Sequence, residues 1–382
     1  MKILHVNGAR SWGGNEQQLL YLVRGLNSKG IEQALFCYHK NPLLDIFKED
    51  EIKIFNVAYK KPYSFDFLKK FSAVVKSYAP DIIHVHTGNF LTGYVLADLF
   101  YGLAPKVVLS KKGISRNMSF LSKFKYNYRK IDKIICVSER VKDDLEHVIS
   151  LKNKSKLEIV WDGVTWENWE PISLKSKYNL PEDAFIIGNI GNHTRSKDLK
   201  TLINTANYLI NKKGYKNLYF FQIGHFSGLT AELKELVNDL NLNSNFFMLG
   251  FQENASSYFS AFDLFLMSSK KEGGPTSVLE AMIYKTPVVS TNVGVIPYAI
   301  RQAENGFYAE VEEYEDLGDY IEKLYENEEL REQFVEKSFH ICKERFSVEC
   351  LVQKTLDIYQ NVFLKSLLNL QRFFFLHFVD IF

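Results

Sequence analysis

Cysteine is scarce in this chain. Its 382 residues hold four, Cys37, Cys136, Cys342 and Cys350, with no two at CxxC spacing. That excludes a disulfide framework or a zinc ribbon and fits a reducing cytoplasm. Long apolar runs are missing too. The stretch at 3–6 is too short for a signal-peptide core, and no run approaches the 18 or so residues of a spanning helix. The nearest, 373–379, is flanked by Arg372 and Asp380. The expectation is a soluble protein, or one resting on a membrane surface without crossing it. Charge of one sign is also lacking: 47 Lys and Arg against 45 Asp and Glu leave a net +2, which excludes nucleic-acid binding by bulk charge and an acidic disordered chain. No internal repeat or low-complexity segment is visible.

What is present is an aromatic-rich globular composition, with 30 Phe and 21 Tyr. Short apolar runs at 2–6, 33–38, 53–57, 81–86, 106–110, 133–137 and 157–161 read as strands, with helical patterns from about 16 and over 65–78. Near-continuous apolar strands separated by helices predict a parallel sheet covered on both faces. Residues 162–184, with Trp166, Trp169, Pro171 and Pro181 in polar surroundings, read as a linker. A second series follows at 185–190, 218–223, 246–249, 264–267, 287–290 and 307–311, then helices over 313–325, 328–344 and 351–363. The predicted fold class is therefore α/β with two doubly wound, Rossmann-like parallel-sheet domains. The predicted boundaries are 1–165 and 166–345, with 346–382 as a helix crossing back to the first domain plus an apolar tail. Ligands of such sheets lie beyond the carboxyl ends of the strands, so the loops there carry the candidate chemistry.

The most informative loop runs Lys271-Glu272-Gly273-Gly274-Pro275-Thr276-Ser277-Val278-Leu279-Glu280-Ala281-Met282. Gly274 and Pro275 turn the chain into a helix whose first N–H groups, near Thr276 and Ser277, form an anion site suited to phosphate. Glu272 can accept hydrogen bonds from sugar hydroxyls, and Glu280, one turn into the helix, from a ribose diol. Near the start, Ser11-Trp12-Gly13-Gly14-Asn15-Glu16 offers a glycine pair ahead of a helix, without the third glycine of the dinucleotide fingerprint. The loop after 185–190 reads Gly191-Asn192-His193-Thr194-Arg195-Ser196-Lys197-Asp198, a basic loop before a helix. His84 and His86 alternate onto one face at a strand's end. No carboxylate or Cys cluster joins them in sequence, which argues against a metal site. Residues 116–133 carry Arg116, Lys123, Lys125, Arg129, Lys130 and Lys133 against one acid, Asp132, interleaved with Phe120, Phe124, Tyr126 and Tyr128. That segment and the apolar tail at 366–382 read either as membrane-surface contacts or as packed helices.

The block Glu-Gly-x-Pro-x-x-x-Leu-Glu-Ala-Met, with Glu272 and Glu280 eight apart, resembles the signature of the retaining glycosyltransferase family 4, whose members have the GT-B fold. The flanking segments 246–250, 263–268 and 286–289, with Gly294 and Pro297, fall in the family's order. The similarity reaches to about residue 363. It implies two domains facing across a cleft and a nucleotide-sugar donor, a UDP-sugar by family preference. It also implies a glycan or lipid-linked acceptor, in cell-surface polysaccharide or lipopolysaccharide assembly.

By this resemblance the donor side comprises Gly13, Gly14, Asn192, Arg195, Lys197, Glu272, Gly274, Pro275, Thr276, Ser277 and Glu280, with Lys197 and Glu272 as the catalytic pair. Lys197 falls where the family has its diphosphate lysine. The family's arginine position is taken by Asn192, and Arg195 lies three residues on. His84 and His86 belong to the acceptor side, and Lys112 stands where the family often has a histidine. No cofactor, metal or nucleic acid is implied, and the location is the cytoplasm, with peripheral attachment to the inner membrane face left open. Two alternatives stand beside this reading: a nucleotide-sugar 2-epimerase of the same fold, and a non-catalytic membrane-associated scaffold.

Overall fold

The computed structural model describes residues 1–113, 118–170 and 172–378, with side chains described to residue 364. The chain forms two compact units, Met1–Gly163 with Val348–Phe382, and Val164–Ser347.

In the first unit seven strands, β1 (Lys2–Asn7), β2 (Glu32–Tyr38), β3 (Lys53–Val57), β4 (Ile82–Val85), β5 (Lys106–Lys111), β6 (Ile131–Cys136) and β7 (Leu157–Ile159), form one sheet ordered β3-β2-β1-β4-β5-β6-β7. Every pairing in it is parallel. The second unit repeats the scheme. Strands β8 (Phe185–Ile190), β9 (Leu218–Ile223), β10 (Phe246–Gly250), β11 (Leu264–Met267), β12 (Val288–Thr291) and β13 (Phe307–Ala309) are ordered β10-β9-β8-β11-β12-β13. The direction of winding reverses between β1 and β4, and again between β8 and β11. Adjacent loops diverge there and leave a crevice at the carboxyl edge of the sheet.

The central strands are buried on both faces, as their unbroken apolar runs require, while the edge strands β3, β7 and β10 are only partly covered. Above one face of the first sheet, Phe36, Phe67, Phe71, Phe90 and Tyr94 pack together with Leu4, Val6, Ile83 and Val85. On the other face Ile3, Leu22, Ile82, Val108 and Val160 meet Leu351, Val352, Leu356 and Tyr359 from the helix Val348–Phe378. That helix is longer than the pattern over 351–363 predicts, and its first half packs on the Gly14–Asn27 helix and on β5 and β6. The tail's side chains from residue 365, and residues 379–382, lie outside the described residues, so the reading of 366–382 as a membrane contact has no structural counterpart here.

The basic aromatic segment is in part the packed element that one of its two readings expects. Arg116 lies outside the described residues. Tyr126 and Tyr128 are buried in the core, and Lys125 Nζ donates to Gly88 O at 2.8 Å. Lys130 pairs with the buried Asp98 at 2.7 Å, and Lys133 pairs with Glu158. Three of the segment's basic side chains are thus held by partners within the unit. Phe120, Leu121 and Phe124 remain exposed on the Phe120–Tyr126 helix.

Candidate functional site

The loop after β8 and the loop after β11 meet at the second unit's reversal point. Lys197 Nζ lies 2.8 Å from Glu272 Oε1, and Ser269 Oγ donates to the same oxygen at 2.9 Å. The stem of Lys197 runs across Gly191, where a Cβ would stand 3.0 Å from Lys197 Cδ. The peptide beneath is tied across the sheet: Ser268 Oγ donates to the carbonyls of Lys197 and Asp198 at 3.2 and 3.1 Å. Gly294, at φ +58°, supports the other side of the Glu272 loop. A Cβ there would stand 2.8 Å from Gly273 O, so only glycine allows that approach.

The helix Thr276–Ile283 starts directly beyond. Pro275 is its N-cap and supplies no side-chain cap, so its first N–H groups have no side-chain acceptor. Ser277 Oγ is buried there without a hydrogen-bond partner. A buried hydroxyl left unpaired costs about 1–3 kcal/mol unless a ligand completes it. Glu280 follows on the helix, accepting from Ser256 Oγ at 3.3 Å. Burial is the main cause that raises its carboxyl to about pH 7. The site thus combines a lysine, a helix N-terminus, an orphan hydroxyl and two carboxylates within one crevice, a donor set matched to a phosphorylated polyol.

The remaining predicted residues of this loop are placed less centrally. Asn192 Oδ1 accepts from His225 N at 2.9 Å and so braces the next strand's loop, while Arg195 is exposed. His193 is buried between Thr230 Oγ1 and Gln222 Oε1, both at 2.8 Å, and burial lowers its pKa. Ser256, Ser268 and Ser269, which hold the two loops and Glu280, escaped sequence reasoning, because serine in a loop has no distinguishing pattern.

In the first unit, Gly13 is the N-cap of the Gly14–Asn27 helix with φ −168°. Any residue adopts that extended backbone, so the conformation itself does not demand glycine. His84 is fully committed within the fold: Nδ1 lies 2.5 Å from the Tyr359 hydroxyl and Nε2 2.8 Å from Ser110 Oγ. Neither ring nitrogen is left free for a further hydrogen bond in this fold. His86 follows β4 and lies 3.1 Å, through Nε2, from His5 Nδ1. His5 is the member of this group that sequence reasoning missed. Parallel register sets it beside His84, so alternation on β1 could have located it. With it, three histidines have ligand-type nitrogens within 4.8 Å of one another, where the sequence offered only two. Lys112 is not free either, since its Nζ is paired with the buried Asp162.

Known proteins match this chain in two adjoining blocks. The model described as Glycosyltransferase Family 4 covers residues 12–167, and the one described as Glycosyl transferases group 1 covers 172–340. The chain is a family 4, group 1 glycosyltransferase. Among relatives of this glycosyltransferase, the N-acetyl-alpha-D-glucosaminyl L-malate synthase of Bacillus anthracis is 23% identical over 326 residues, which is 83% of this chain and 84% of the relative. The lipopolysaccharide core biosynthesis glycosyltransferase LpsE of Rhizobium meliloti is 24% identical over 369 residues, 94% of this chain and 98% of the relative. A Rickettsia africae glycosyltransferase structure matches with a TM-score of 0.83 at 21% identity, over 94% of this chain and 98% of that one. HepE from Anabaena, solved with UDP and glucose, matches with a TM-score of 0.82 at 17% identity, over 94% of this chain and 100% of that one. With the two parallel sheets, these neighbours establish the two-domain GT-B fold.

Proposed function

We propose that this glycosyltransferase moves a sugar from a nucleoside diphosphate sugar, of the uridine type, to a hydroxyl of a glycan or lipid-linked acceptor, with retention at the anomeric carbon. The observation that carries the reading is the cluster at the β8/β11 reversal: Lys197 held against Glu272 beside a helix start where Ser277 Oγ lacks a partner. In the proposed complex the diphosphate takes the place of Glu272 on Lys197 and accepts from the N–H groups at Thr276 and Ser277. Gly274 and Pro275 turn the chain so that this helix end faces the phosphate, and Arg195, exposed on the same loop, adds a second cation. Departure of the diphosphate is the charge problem of the reaction. A lysine and a helix N-terminus aimed at it stabilise the transition state without reorganising. Glu272, released from Lys197, accepts from donor-sugar hydroxyls, and Glu280 from the ribose.

This reading asks for no metal or cofactor, because cationic side chains and helix N–H groups supply the positive charge that the leaving diphosphate needs. The first unit is assigned the acceptor. Cell-surface polysaccharide or lipopolysaccharide assembly on the cytoplasmic side is the proposed setting. Support comes from relatives named for lipopolysaccharide core and capsular polysaccharide biosynthesis, and from the UDP and glucose of the HepE structure. The exposed Phe120, Leu121 and Phe124 are the proposed peripheral membrane contact. Phe120→Ser with Phe124→Ser is expected to lower sedimentation with phosphatidylglycerol vesicles, and unchanged sedimentation would remove that assignment. For the main reading, a thermal-shift panel of UDP, GDP and their sugars is expected to give stabilisation by UDP-sugars. Equal Tm with and without every member of the panel would refute the donor assignment.

A further inference from the structure

The structure fixes the protonation state of one nitrogen at the β1/β4 reversal. The chain of bonds starts at a helix carbonyl: Gln33 Nε2 donates to Val23 O at 3.0 Å, which turns Gln33 Oε1 toward His5. That oxygen can only accept, so His5 Nε2, 3.0 Å away, carries the proton. Burial lowers the His5 pKa to about 4, so the ring is neutral near pH 7 and its Nδ1 is bare. A bare Nδ1 can only accept in turn, which places a proton on His86 Nε2, 3.1 Å away. Burial first, and then His84, His5 and Lys112, hold His86 well below the ordinary histidine range. His86 is therefore neutral with an unprotonated Nδ1. That atom has no hydrogen-bond partner among the described residues, and the His86 side chain is only half-buried. β4 ends at Val85, which puts His86 at the carboxyl edge of the sheet, where ligands of such sheets lie.

We infer that His86 Nδ1 is a fixed hydrogen-bond acceptor for a hydroxyl of the sugar acceptor, with His5 and Gln33 as positioning residues that hold its tautomer. This rests on assigning the acceptor to the first unit. A neutral, bare imidazole nitrogen can take a hydrogen bond and cannot give one. It selects an alcohol over an ether, a ketone or a carboxylate at that point of the ligand. A metal on the same trio would need a different arrangement, because both nitrogens of His84 are taken by Tyr359 and Ser110, and the proton on His86 Nε2 would have to leave.

The test uses the full chain labelled with 15N-histidine, saturated with UDP, and long-range proton–nitrogen spectra assigned by His→Asn variants. His5 and His86 are expected as Nε2–H tautomers with a bare Nδ1, and Gln33→Leu is expected to give mixed tautomers at both. Added methyl hexopyranosides should shift His86 Nδ1 and receive saturation transfer from the protein. His86→Ala should weaken their binding at least about 10-fold. His86→Asn, which keeps an acceptor oxygen near the position of Nδ1, should restore most of it. A protonated His86 Nδ1, tautomers unmoved by Gln33→Leu, stoichiometric zinc in the purified protein, or unchanged or undetectable methyl hexoside binding would each overturn the inference. UDP-induced stabilisation, read in parallel, depends on the second unit, so its loss would instead count against the donor assignment.

Discussion

Replacing Glu280 by Gln probes the buried carboxylate of the second unit from two directions at once. Burial raises its carboxyl from an ordinary 4.5 to about 7. A carboxyl raised in the folded state favours folding while protonated. That contribution is complete below about pH 4.5 and is lost as pH climbs through about 7. The span from 4.5 to about 7, at about 1.4 kcal/mol per pH unit, sets a ceiling of about 3–4 kcal/mol. Partial solvent access to the side chain lowers the real figure. Glu280→Gln removes the ionisation and is expected to leave Tm nearly unchanged at pH 5. At pH 8 it should raise Tm by several degrees, given about 2–4 °C per kcal/mol for a unit of this size. The same variant should lose much of the stabilisation by UDP at pH 8. Wild-type stabilisation by UDP should itself grow from pH 5.5 to pH 8, as the carboxylate that accepts from the ribose forms. The assay is differential scanning fluorimetry across that pH range, with and without UDP. A lower Tm for Glu280→Gln at pH 8, or an effect of equal size at pH 5 and pH 8, would refute the reasoning.

Three further substitutions test the same crevice. Lys197→Ala is expected to lower transfer from a UDP-sugar by about 10²-fold or more in a UDP-release assay, since it removes the cation aimed at the leaving diphosphate. Ser277→Ala deletes a hydroxyl with no partner in the unliganded fold, so the unfolding free energy from urea titration should rise by about 1–3 kcal/mol while UDP affinity by calorimetry falls about 10-fold. Gly294→Ala forces a Cβ to within 2.8 Å of Gly273 O at φ +58°. It should cost about 1–3 kcal/mol in urea unfolding and displace the Glu272 loop, so that UDP binding weakens with it.

The architecture was legible because parallel strands buried on both faces leave unbroken apolar runs, and a helix pattern between each pair leaves few topologies. The Glu272–Met282 block was legible for a local reason: glycine, proline and a helix start must be adjacent in sequence to make that turn. What stayed hidden depends on partners distant along the chain. His5 joins His86 across 81 residues, and Gln33 locks His5 across 28. The basic stripe at 116–133 shows the opposite failure. Spacing gives a lysine's position but not its partner, and Lys125, Lys130 and Lys133 turn out to be satisfied by Gly88 O, Asp98 and Glu158.

The helix that begins at Val348 has a consequence for how the molecule is made. The first unit is split in sequence around the second, which is continuous from Val164 to Ser347. During synthesis the second unit can complete its own sheet and core while the first still lacks one cover. Until residues 351–362 emerge, Ile3, Leu22, Ile82, Val108 and Val160 remain without their partners, and His84 without the Tyr359 hydroxyl. Closing a loop of that length adds an entropy cost that grows only slowly with its size, so the delay is set by translation more than by the search. A chain cut near residue 347 is then expected to present a sticky nascent face, to bind chaperones and to collect in inclusion bodies, although every strand of both sheets is present.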